Sequence, residues 1–110
     1  EIPTNDTWTR DYGYISIIDN GEVKLLDFKF DGWGGKFEAS LDNAVNKRLH
    51  KKGYLGVTPL KSIDFVLEGG SIESDGEGTI LTTTNCLCNP NRNGGLNKIE
   101  VERILQDYLG

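Results

Sequence analysis

The sequence predicts an α/β fold in which one hairpin-plus-helix unit occurs twice. Short apolar runs interrupted by turn residues read as paired strands. Two amphipathic stretches, each opened by a capping residue and closed by a glycine, read as helices. The two sets of elements also align at a constant spacing along the chain.

The elements follow in order. Tyr14 to Asp19 is a strand, and Asn20-Gly21 supplies the positive φ of a tight hairpin turn. Val23 to Phe30 returns as its partner, and Asp31-Gly32-Trp33-Gly34-Gly35 breaks it. Ser40 is the expected N-cap of a helix whose apolar face is Leu41, Ala44, Val45 and Leu49, with Gly53 ending it. Asp64 to Leu67 is a short buried strand, followed by Glu68-Gly69-Gly70. Ser71 to Ser74 and Thr79 to Thr83 form strands around the turn Asp75-Gly76-Glu77-Gly78. Asn85 to Gly95 is expected to be a polar loop. Asn97, with Glu100 three residues on, opens a second helix through a capping box. Val101, Ile104, Leu105 and Tyr108 form its apolar stripe, and Gly110 closes it.

Asp11 and Glu68 lie 57 positions apart. The same spacing joins Gly13 to Gly70, Ile15 to Ile72, Gly21 to Gly78, Val23 to Ile80, Ser40 to Asn97 and Gly53 to Gly110. The expected repeat units run from about 8 to 55 and from about 63 to 110. Each carries a carboxylate just before its first hairpin strand. Equivalent positions in successive repeats of a ring lie around its axis, so Asp11 and Glu68 are expected to face a common centre.

Composition narrows the function. The 17 acidic residues outnumber the 12 basic ones, giving a net charge of −5, which argues against a nucleic-acid footprint and suits a cationic ligand. No apolar run is long enough to span a membrane, and the N-terminus lacks the features of a signal peptide. The start without Met suggests a cut chain. Cys86 and Cys88 stand too close for an unstrained disulfide, and with one distant His they are too few for zinc. They read as structural thiols in a reducing, cytoplasmic setting. His50, inside Lys47-Arg48-Leu49-His50-Lys51-Lys52, reads as a solvated helix residue. Asp75 to Gly78 lacks the bidentate Glu of a calcium loop.

Two carboxylates on different sides can grip a guanidinium, whose planar N–H edges match them, and leave its central carbon open to attack. Asp11 and Glu68 are groups of this kind, each beside glycines that permit close approach.

Asn5-Asp6-Thr7-Trp8-Thr9-Arg10-Asp11-Tyr12-Gly13 resembles the N-D-x-W-x-R-D-x-G motif of agmatine deiminases and the related bacterial-type peptidylarginine deiminases. Trp33-Gly34-Gly35-Lys36, Leu67-Glu68-Gly69-Gly70-Ser71-Ile72, Asp75-Gly76-Glu77-Gly78-Thr79 and Cys86 to Asn93 resemble later stretches of that family, in the family's order. The resemblance covers nearly the whole chain. It implies a pentein, a five-bladed α/β propeller of ββαβ-type repeats, of which this chain supplies about two, as part of a single catalytic domain spanning residues 1–110. It also implies a hydrolase that needs no metal or organic cofactor. Asp11 and Glu68 would bind the guanidinium and serve catalysis, and Trp8 would wall the substrate pocket. Asp6 and Arg10 would hold the loop around Asp11. In the family a Cys thiolate attacks the guanidinium carbon while a His in an H-x-D motif moves protons. Residues 1–110 contain neither motif, so both partners are expected outside them.

Tyr14 and Gly94 stand where the family usually has Pro, and Glu73 where many members have His. These departures bear on substrate preference. The expected partners are a guanidino substrate, agmatine first, and the remainder of the pentein domain, with no nucleic acid and no membrane. Peptidylarginine or another guanidino compound is the alternative substrate. A non-catalytic binding or structural module is the alternative for the isolated chain.

Overall fold

A computed structural model describes residues 1–110 as an α/β arrangement of two small sheets, six α-helical segments and two short 3-10 turns, Asp42–Ala44 and Gly69–Ser71. α1 (Thr9–Tyr12) is a single turn. β1 (Ile15–Asp19) and β2 (Glu22–Lys29) form an antiparallel hairpin. Asn20 and Gly21 both take positive φ, 52° and 82°, as the Asn-Gly signal requires. α2 (Gly32–Gly35) is an irregular turn. α3 (Val45–Lys51) then crosses back and delivers β3 (Leu60–Val66) parallel to β2, giving the strand order β1-β2-β3. β4 (Ile72–Ser74) and β5 (Ile80–Thr82) make a separate antiparallel pair. α4 (Thr84–Leu87), α5 (Pro90–Asn93) and α6 (Lys98–Leu109) complete the chain.

β2 is the central strand, and its consecutive residues Leu25, Leu26, Asp27 and Phe28 are all buried. The main core joins Leu26 and Phe28 to Ile63, Phe65, Leu67, Ile72, Leu87 and Val101. Burying a side chain of this class stabilises by roughly 1.5–3 kcal/mol. α6 adds Ile104, Leu105 and Tyr108 to the core margin, so its expected stripe meets the sheet, with Tyr108 edge-on to Phe28. Its capping box is present, with Asn97 and Glu100 each satisfying the other's backbone N–H. No helix is long and apolar enough to cross a membrane.

A polar network occupies another part of the interior. Asn46 of α3 is 2% exposed. Its Nδ2 donates to Tyr12 O and to Asp27 Oδ1, both at 2.9 Å, and its Oδ1 accepts from Tyr14 N at 3.2 Å. Ser62 Oγ donates to Asp27 Oδ2 at 3.0 Å. One amide thus joins the start of the first hairpin, the central strand and the crossover helix.

Three expectations are corrected. Ser40 is not the N-cap of α3, because the helix begins only at Val45, with Ala44 at the N-cap position and no side-chain cap. The N–H groups of Leu41 and Asp42 are capped by Asn5 Oδ1, and Asp42 Oδ1 accepts in return from Asn5 N and Asp6 N. That cap comes from 36 residues away, so no local sequence pattern announces it. The segment Asn85 to Gly95 is not a plain loop. It includes most of α4 and all of α5, with Thr83 and Asn89 as side-chain caps. β3 also starts four residues earlier than its apolar signal, because Lys61 and Ser62 join the ladder while exposed.

Candidate functional site

The two carboxylates singled out from the sequence belong to segments that touch. Trp8 O accepts from Asp11 N, and Gly13 N closes the α1 turn on Thr9 O. Glu68 follows β3 and opens a tight turn, with the N–H and Oγ of Ser71 both donating to Glu68 O. The α1 turn lies on Gly69-Gly70. A Cβ at Gly69 would run into the Arg10 carbonyl, and one at Gly70 would run into Asp11 Oδ1. Two glycines are therefore needed here for close approach.

These contacts separate two neighbouring variants. Gly69→Ala forces backbone against backbone and is expected to cost about 1–3 kcal/mol of stability. Gly70→Ala meets only a side chain, so it is expected to displace the Asp11 carboxylate with little loss of stability. Denaturant unfolding of both variants checks the contrast.

Each carboxylate has its own fixed partner. Asp11 Oδ1 accepts from Gly70 N at 3.1 Å, and its Oδ2 accepts from Trp33 Nε1 at 3.1 Å. Trp33 reaches it from a left-handed backbone, φ 63° and ψ 50°, a conformation bulky L-residues rarely take. Edge-on contacts with Phe30 and Phe37 hold the indole in place. Strain of this kind is commonly stored at functional sites.

Glu68 is 4% exposed, and its Oε1 accepts from Arg92 Nε at 2.8 Å. The hydrogen bond to Glu68 pushes the Arg92 guanidinium above its ordinary value, against the opposing effect of burial. Arg92 is positioned by its neighbour. Asn93 Oδ1 accepts from Val66 N and Asn93 Nδ2 donates to Val66 O, both at 2.8 Å, which ties α5 to the edge of β3. Gly34 packs against Asn91 and Arg92, so the segment holding Asp11 meets the segment holding Glu68 on this side too.

Trp8 is 64% exposed on the turn that carries Asp11. Asp6 and Arg10 bond within and across the loop: Asp6 O accepts from Tyr12 Oη at 2.7 Å, and Arg10 Nη2 donates to Ile72 O at 3.5 Å. His50 is exposed, and Cys86 and Cys88 are free thiols of intermediate exposure. No group of three His, Cys, Asp or Glu side chains is placed to hold a metal ion. A groove of about 400 Å³ lies between the hairpins, and its lining includes Ile15, Ile17, Ile72, Ile80 and Leu109. Neither Asp11 nor Glu68 lines it, and its apolar wall does not suit a planar cation.

Sequence reasoning missed Trp33 and Arg92 as partners of the carboxylates. The available signals were a tryptophan flanked by glycines and an arginine inside Asn89-Pro90-Asn91-Arg92-Asn93.

A family model described as Porphyromonas-type peptidyl-arginine deiminase matches residues 1–110. Among curated proteins, an agmatine deiminase of Pseudomonas aeruginosa is 43% identical over 120 residues, covering 99% of this chain and 31% of the relative. A Cys-to-Ser variant of C. jejuni agmatine deiminase, solved with substrate bound, matches at a TM-score of 0.94 and 50% identity. That match covers 100% of this chain and 32% of the other. Agmatine deiminase of Enterococcus faecalis matches at a TM-score of 0.84 and 39% identity, covering 98% and 31%. The chain spans about a third of the length of the curated relatives it matches.

Proposed function

Because the chain belongs to the Porphyromonas-type peptidyl-arginine deiminase family, we propose that it is the substrate-gripping segment of a guanidine deiminase, acting on agmatine. The observation that carries this reading is the direct contact between the Asp11 turn and the Glu68 turn, each carboxylate fixed by a separate partner. A guanidinium held between Asp11 and Glu68 would present its N–H edges to them and its central carbon to a nucleophile. Trp8, exposed beside Asp11, would wall the pocket. The two hairpin-plus-helix units would be two blades of a five-bladed pentein ring, with both carboxylates facing its axis.

In the proposed reaction a Cys thiolate outside residues 1–110 bonds to the guanidinium carbon. The C–N bond breaks as a His, also outside them, protonates the departing nitrogen, and ammonia leaves. Water then attacks the thiouronium carbon. The thiolate is released with the ureido product, N-carbamoylputrescine. Names of similar proteins favour agmatine over other guanidino compounds. Peptidyl-arginine is the second reading, favoured by the family's description and by the open setting of Trp8.

The test is product analysis on the full-length enzyme that carries this segment. One ammonia and one N-carbamoylputrescine per agmatine consumed supports the reading, and turnover of an arginyl peptide in its place supports the second. The 110-residue chain by itself is expected to release no ammonia from agmatine, with intact mass confirming the species assayed. Ammonia release at that mass would place the nucleophile within the chain, with Cys86 and Cys88 the first suspects.

A further inference from the structure

We propose that Asp42 and Asn46 are positioning residues for substrate binding, a pair of buried anchors that fixes both ends of the segment carrying Trp8 and Asp11; this rests on the reading of Trp8 and Asp11 given above. The anchors stand four positions apart on one helical run, Asp42 in the 3-10 turn and Asn46 at the start of α3. Asp42 Oδ1 accepts from Asn5 N at 2.7 Å and from Asp6 N at 3.2 Å. Asn46 holds the other end, donating to Tyr12 O and accepting from Tyr14 N. Tyr12 Oη donates to Asp6 O, which ties the two ends to each other. Asn5 completes the clasp by accepting from Leu41 N and Asp42 N. Between these ties Trp8 stands exposed and Asp11 half-buried.

The burial of the anchors fits this role. The largest side chains fully closed to water are these two polar ones, Asp42 at 1% exposure and Asn46 at 2%. A polar group taken out of water is costly unless it is bonded, and an apolar side chain would fill such a position without that cost. Asp42 Oδ2 is sealed without any partner, so the fold tolerates an uncompensated oxygen while Oδ1 serves the chain leading to Trp8. Both anchors act through the backbone of Asn5, Asp6, Tyr12 and Tyr14 rather than on Trp8 or Asp11 directly. A segment tied at both ends loses little freedom when a substrate closes on it. Untying it weakens substrate and transition state alike, which appears in KM. Partial unfolding instead removes active molecules, lowering apparent kcat and leaving KM alone.

The experiment measures KM and kcat for agmatine in the full-length enzyme, with thermal unfolding recorded for each variant. The variants are Asp42→Ala, Asp42→Asn, Asn5→Ala and Ser62→Ala. Asp42→Ala is expected to raise KM about 5- to 30-fold and to change kcat less than about threefold. Asp42→Asn keeps an oxygen at the Oδ1 position and brings KM back to within about threefold of wild type. Asn5→Ala cuts the same clasp from its exposed side and raises KM as well; it carries the test if Asp42→Ala does not fold. Ser62→Ala removes a bond to Asp27 in the same polar network but none to the tied segment, so it lowers the unfolding temperature and leaves KM unchanged. An unmoved KM in Asp42→Ala and Asn5→Ala, with Asp11→Ala impaired, overturns this proposal and leaves the reading of Asp11 standing. A KM raised as much by Ser62→Ala as by Asp42→Ala also overturns it, because general softening of the network would then be enough. Wild-type turnover in Asp11→Ala overturns both.

Discussion

Replacing Asp11 by Ala in the full-length enzyme is expected to lower kcat/KM for agmatine by about 10²- to 10⁴-fold, from the loss of one or two charge-assisted hydrogen bonds to the guanidinium. The structure makes this a sharp test, because Asp11 is already aimed. Both its oxygens are held by fixed donors, Gly70 N and Trp33 Nε1, so little entropy remains to be lost on binding. Asn is not a mild substitute. Its amide would set N–H against the N–H of Trp33 or of Gly70, whichever way it turned. Glu68→Gln is expected to fall in the same range for a related reason. Its amide oxygen can still accept from Arg92, which leaves an N–H₂ pointing at a substrate made of N–H donors. Ammonia release measured alongside thermal unfolding separates loss of grip from loss of fold. Wild-type activity in Asp11→Ala would remove Asp11 from the role assigned to it.

The second large effect concerns stability. Asn46→Ala is expected to destabilise the protein by about 3–4 kcal/mol, because three hydrogen bonds disappear in a site closed to water. Tyr14 N and Tyr12 O lose the partner that anchors the start of β1. Asp27, 4% exposed, keeps only Ser62 Oγ and a Lys47 amine 3.9 Å away. Lys47→Ala makes the control. Its side chain is 60% exposed, so its ion pair is expected to contribute less than about 1 kcal/mol. Urea unfolding of the two variants should differ several-fold in effect. Near-equal values would mean that the network is held by charge rather than by the Asn46 amide.

These predictions draw on residues whose legibility in the sequence differs sharply. Asn20-Gly21 and the Asn97–Glu100 box were readable because the interaction each makes spans only a few residues. The carboxylates were readable as candidates because each sits beside glycines, and the contact of Gly70 with Asp11 accounts for one of those glycines. The entry to α3 was not readable, since no side chain caps the helix at Ala44 and Asn5 instead satisfies the N–H groups of Leu41 and Asp42 in the turn before it. Trp33 and Arg92 were hidden for the same physical reason. Their partners lie 22 and 24 residues away, and nothing local distinguishes an indole that bonds a carboxylate from one that fills a core.

The pairing of Asn93 with Val66 has a consequence for the sheet as a growing object. β3 is an outer strand, and a bare outer strand offers a template on which another chain can polymerise. With one oxygen and one N–H₂, the Asn93 amide imitates the backbone of a further strand and occupies both hydrogen-bonding groups of Val66. The side chain that seats Arg92 therefore also acts as a terminator. It covers the ladder at Val66 with a counterfeit strand one residue long.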